Sequence, residues 1–220
     1  PSPEAVRAFL ADTSANKRDA IIDKLLTSDA FNDKWTMWLG DLMQNTTAQV
    51  TANAQRRTQG RNAFYKYIYW SVAGWKPLND TANEAIASSG NNYDDNGGSA
   101  NFIMGGSVQG GPAQDTYDGM LGRSATAFLG MAHYDCVNCH NGRGHLDQIS
   151  LWGSQTTRQQ AEQMSAFFSR TRLTNYPSPT PPPGQVSADP YYQSTIVENI
   201  ATTAGTDLNT NYGNRPHPVP

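Results

Sequence analysis

Cysteine occurs twice in this chain, inside the run Cys136-Val137-Asn138-Cys139-His140. Two thiols three positions apart cannot staple a chain of 220 residues. Order must therefore come from an apolar core, and the chemistry of the pair must be local. Core material is thin. Hydrophobic residues make up 37% of the chain and charged residues only 16%. The mean hydropathy of −0.61 thus reflects neutral Asn, Gln, Ser, Thr and Gly, a composition for a few helices joined by long uncharged loops. A formal net charge of −3 offers no basic footprint, which argues against nucleic acid as a partner. No apolar run approaches the roughly 18–20 residues of a membrane-spanning helix.

The first third reads as helix. Ser2 caps a helix entered through Pro3 and Glu4, with Val6, Phe9 and Leu10 on one face. Asn16 opens a second helix carrying Ile21, Ile22, Leu25 and Leu26, and a third runs from Asp29 to Gln44 with Phe31, Trp35, Trp38, Leu39 and Leu42 as its stripe. Residues 45–60 lack periodicity and read as an exposed loop. Arg61 to Trp75 is an aromatic helix, and Leu78 to Ser88 a shorter one. The Gly- and Asn-dense residues 89–114 read as unsuited to any regular core element. Helices are expected again from Thr116 to Ala132, leading into the cysteines, and from Thr156 to Arg172. Tyr176 to Gly184 reads as extended polyproline, and QSTIVENI with the following TTAGTD as a β-hairpin. The expected fold class is mainly α, an irregular helical domain with long loops and a small C-terminal β-hairpin extension.

C-x-x-C-H is the attachment signature of c-type haem. Thiols at this spacing reach the two vinyl groups along one porphyrin edge, and the next residue, His140, is carried under the iron as the proximal ligand. Cys136, Cys139 and His140 are therefore the expected haem c site, with one haem. A zinc site of Cys136, Cys139, His140 and either His133 or His145 is the alternative that uses the same residues. A thioredoxin-like pair lacks its βαβ context, and a plain disulfide or buried thiols leaves His140 unexplained. For the sixth iron position His145 is the first candidate, five residues beyond His140 across two glycines. Met164, Met104 and His133 follow, ahead of Met120, Met131 and His217. Arg143 and Arg172 are candidate partners for haem propionates. Five Trp and ten Tyr read as core and pocket packing before any carbohydrate-binding or electron-relay surface. Paired carboxylates, a Ser-His-Asp arrangement and a phosphate loop are not legible.

SATAFLGMAHYDCVNCHNGRGHLDQI, followed by AEQMSAFFSRTR, resembles the cytochrome-associated DUF1549 domain of planctomycetes and acidobacteria. The shared pattern is Phe128-Leu129-Gly130, then C-x-x-C-H, then His145-Leu146-Asp147. PSPEAVRAFLAD, DKLLTSDAFNDKWTMWLGDL and RNAFYKYIYW are similar to the family's earlier helices. In the family the second His follows the haem His by two residues, whereas here it stands at five. The resemblance implies export, a c-type haem, and a chain that continues into a second large domain.

These readings give a helical haem domain over residues 1–175, then a Pro-rich arm and β-hairpin tail over 176–220. The expected function is electron transfer by an exported c-type cytochrome, periplasmic, cell-surface or extracellular. Its partner would be a redox protein or neighbouring haem subunits, with homo-oligomers and an extracellular filament as a variant. A peroxidase-like haem enzyme with an open distal site is the enzymatic alternative.

Overall fold

The structure is a computed structural model that describes residues 1–47, 49–51, 54–55, 58–108, 113–177 and 193–200. It is mainly helical, with one three-stranded antiparallel sheet. The N-terminal helices follow the expected pattern. α1 (Pro3–Ala11) is capped by Ser2, whose Oγ accepts from the Ala5 amide, with Pro3 in its first turn. α2 (Lys17–Leu26) follows Asn16, and Ser28 caps α3 (Asp29–Leu42) through the Phe31 amide. α1 and α2 bury no residue, whereas α3 turns Thr36 and Leu39 inward. The aromatic helix is α4 (Thr58–Ala73), packed along α3 and burying Phe64 and Ile68; α5 (Leu78–Ile86) follows.

Three expectations are corrected. Residues 45–60 contain β1 (Gln49–Thr51) paired antiparallel with β2 (Ala54–Gln55), and the start of α4. The Gly- and Asn-rich stretch, read as unable to enter the core, holds β3 (Gly90–Asn91) and α6 (Ala100–Met104), every residue of which is buried. Its glycines serve close packing: a Cβ on Gly106 would stand 2.5 Å from the Met120 amide, and one on Gly119 would stand 2.2 Å from the Gly106 carbonyl oxygen. The turn that follows α6 can therefore meet α7 (Ala113–Leu129) backbone to backbone only because both contact positions are glycine. The third correction concerns the segment 156–172. It divides into α10 (Arg158–Ser165), one 3-10 turn (Ala166–Phe168) and β4 (Thr171–Pro177).

β4 pairs antiparallel with β5 (Gln193–Asn199), from Thr171↔Asn199 to Pro177↔Gln193, and β5 pairs on its other edge with β3. QSTIVENI is thus a strand, paired with β4 and β3; the expected turn TTAGTD lies outside the described residues. β4 crosses residue 175, and Val197 of β5 joins the core with 2% exposure. The core itself is contiguous: Met43, Phe64, Ile68, Phe102, Ile103, Met104, Met120, Val137 and Val197 are all buried in one cluster.

Candidate haem-attachment site

α7 ends where Gly130 adopts φ +66° and the Met131 amide reaches back to the Ala125 carbonyl, a left-handed stop that suits glycine. His133 then precedes α8 (Tyr134–Val137), a single turn with two faces. Tyr134 and Val137 point inward, at 5% and 0% exposure. Cys136 and Cys139, offset from them along the same turn, are exposed free thiols. Residues three apart share a helix face, so burying Tyr134 and Val137 turns both sulfurs out together. Burial pushes the Tyr134 hydroxyl pKa up, keeping it a donor, and its oxygen stands 2.7 Å from Met164 Sδ.

His140 is half-buried, and its Nδ1 lies 2.8 Å from the carbonyl oxygen of Asn141. A carbonyl oxygen only accepts, so Nδ1 carries the proton and the Nε2 lone pair is left for a ligand role. Asn141 is held in turn: its Oδ1 accepts from the Arg158 amide at 2.8 Å. The loop beyond is pinned by Gly142, whose amide donates to the Thr156 carbonyl and which packs against Gly153 of α9 (Leu151–Gln155). Leu146 is buried under the loop, and His145 is exposed with its ring 4.3 Å from that of His140.

The other candidates fall in distinct places. Met104 is fully buried, with Sδ accepting from Asn92 Nδ2 at 3.3 Å, and Met164 Sδ faces the Tyr134 hydroxyl. Met120 is a core residue and Met131 packs against the core. His133 stacks on Tyr134, and its Nε2 is buried without a hydrogen-bond partner among the described residues. Arg172 pairs with Glu198 at 2.6 Å across β4 and β5. Arg143 borders a polar cleft of about 540 Å³ with Asn141, Asp147, Ser154, Thr156 and Thr157. His217 lies outside the described residues. Among those residues, no three His, Cys, Asp or Glu side chains converge as a metal site, and no helix is long and apolar enough to cross a membrane.

Two features were not read from the sequence. One is a group of exposed apolar side chains on the segments flanking the motif, with Ile149, Trp152 and Phe167 at 80%, 72% and 86% exposure and Leu129 and Leu151 also exposed. The other is a buried ion-pair cluster of Asp118, Arg158 and Glu162. The Arg158–Glu162 spacing of four was a legible hint; the Asp118 partner, 40 residues away, was not.

The residues present fit a covalently held haem. Two outward thiols share one face, His140 keeps Nε2 free, the orphaned Nε2 of His133 lies beside them in sequence, and exposed apolar side chains flank the loop. No match was found among curated proteins or among solved structures. A family model described as PSCyt2, protein of unknown function (DUF1549), matches residues 1–173. The chain belongs to the DUF1549 family.

Proposed function

We propose that this chain is an exported c-type cytochrome domain that carries one haem and transfers electrons. The observation that supports it most is the fixed state of His140. Its Nδ1–H is committed to the Asn141 carbonyl, the arrangement by which a backbone acceptor orients a ligating imidazole and raises its basicity. In this reading Cys136 and Cys139 would hold the haem as thioethers, and His140 Nε2 would be the protein's ligand to its iron. The bound haem supplies one-electron cycling between ferric and ferrous iron. The protein's part is to hold that ligand still, to cover the porphyrin with Leu129, Ile149, Leu151, Trp152 or Phe167, and to offer Arg143 to a propionate. Thioether attachment takes place outside the cytoplasm, which assigns the domain to the periplasm, cell surface or exterior, with a redox protein or a second haem subunit as partner.

Production with export and haem-c maturation tests this. A pyridine haemochrome spectrum of haem c, lost in Cys136→Ser/Cys139→Ser, is the expected result. A matured sample without haem rejects the proposal and returns the motif to zinc.

One set of observations favours a second reading, an open sixth position. Met104 and Met164 have their sulfurs engaged within the protein, and the His145 ring packs against His140 itself, tilted by 36° at 4.3 Å. A reduced spectrum that shifts with carbon monoxide supports that reading; one that does not shift supports six-coordinate iron.

A further inference from the structure

The buried cluster behind the motif has no part in the reading above. Arg158, the first residue of α10, places Nη2 2.7 Å from Asp118 Oδ2 on α7 and 3.0 Å from Glu162 Oε1 one turn on, with all three side chains 4–6% exposed. Gln114 Nε2 adds hydrogen bonds to Asp118 Oδ1 at 3.1 Å and Ser165 Oγ at 2.7 Å. Ion pairs this dry are weak sources of stability, since well-packed apolar residues of the same volume do as well or better. Their placement calls for another explanation, and the backbones of the paired residues supply it.

The carbonyl oxygen of Asp118 accepts from Asn138 Nδ2 at 2.9 Å. The amide of Arg158 donates to Asn141 Oδ1 at 2.8 Å. Asn138 stands between the two cysteines and Asn141 follows His140, so the two ends of one ion pair grip the loop on both sides of Cys139-His140. The carbonyl oxygen of Asn141 then receives His140 Nδ1. The chain of contacts runs unbroken from charge cluster to imidazole.

We propose that Arg158 is a positioning residue for His140. Its buried pair with Asp118 locks α10 to α7, while its pair with Glu162 lies within α10 and holds the guanidinium in place; this fixes Asn141 and so holds His140 as the Nδ1–H tautomer with Nε2 outward. This role belongs to the polypeptide itself; its consequence for reduction potential rests on the haem-c reading. An imidazole that donates firmly to a carbonyl is the more basic ligand and favours ferric iron, so loosening the clamp raises the potential.

The test uses the full chain labelled with 15N-histidine, without haem and after maturation. One variant neutralises the whole cluster at similar volume (Arg158→Met, Asp118→Asn, Glu162→Gln), and a second, Asn141→Ala, cuts the relay alone. In the wild type, neutral His140 is expected to be held as Nδ1–H. In both variants its ring 15N shifts should move to those of exposed His145, and the haem-loaded forms should show a higher reduction potential. Folded variants that keep the Nδ1–H signature and the potential overturn the proposal; if the triple variant does not fold, Asn141→Ala decides. A tautomer released in a chain that takes up no haem upholds the clamp and rejects the haem reading. Haem present with the tautomer unchanged does the reverse.

Discussion

At Gly142 a methyl group has no room. A Cβ there would stand 1.6 Å from the carbonyl oxygen of Gly153, and the Gly142 amide is already committed to Thr156. Because the obstacle is backbone, a rotamer change cannot relieve it, and Gly142→Ala must push α9 away from the motif loop. The expected cost is about 3 kcal/mol, at the upper end of overpacking penalties. Gly130→Ala is the control. Nothing lies within 4 Å of its Cβ position, and only φ +66° opposes the side chain, so about 1 kcal/mol is expected. Urea denaturation of both variants reads the difference, and equal losses would contradict the close approach. Another residue matters through charge. Burial pulls the Arg123 guanidinium pKa down to about 10, yet it stays protonated at neutral pH. It serves the carbonyls of Met43 and Gln44 at the C-terminus of α3, where a cation also suits the helix dipole.

Among the elements, α10 has the most explicit start. Thr157 Oγ1 accepts from the Gln160 amide while Gln160 Oε1 accepts from the Thr157 amide, a reciprocal cap. Thr157→Ala removes one half and should cost about 1 kcal/mol. Since the Gln160 amide loses its acceptor, hydrogen exchange should also quicken there ahead of the rest of the helix; uniform exchange would show that the cap does not govern this end. Elements of this kind were legible in sequence. α1 and α3 announce themselves by cap and stripe and α2 by its stripe, and the C-x-x-C-H run announces its turn. α6 was not legible, because it sits in a Gly- and Asn-rich stretch whose Gly106 means close packing only once the turn after α6 meets Gly119 of α7. Nor was the change from helix to strand near Thr171, since β4 is fixed by a partner more than twenty residues away. The same holds for the site: Cys136, Cys139 and His140 stand together in the chain, whereas the groups that grip them come from α7 and α10.

On the scale of the whole molecule, the sheet is tied to the helices through one buried side chain. Asn92, fully buried, accepts the Thr195 amide of β5 at 2.7 Å through Oδ1 and donates to Asn101 Oδ1 of α6 at 3.0 Å through Nδ2. Asn101 Nδ2 closes the ring by donating to the Asn92 backbone carbonyl at 2.7 Å. β5 is the middle strand, so this ring couples the chain's late segment to its central core, and Val197 packs into the same place. Val197→Ala removes two methyl groups from a filled site and should cost about 2 kcal/mol. Asn92→Ala takes the Asn92 side-chain partner from the Thr195 amide and from Asn101 Oδ1, and losing such a buried partner costs about 1–3 kcal/mol each. Asn92→Ala should therefore be the more damaging, by about 1 kcal/mol or more. The two should also differ in kind. Loss of Val197 lowers stability throughout, while loss of Asn92 frees β5 first, so that Thr195 exchanges its amide proton faster than the core of α7. If Thr195 and the α7 amides instead exchange together in Asn92→Ala, the sheet and the helices unfold as one unit without need of this link.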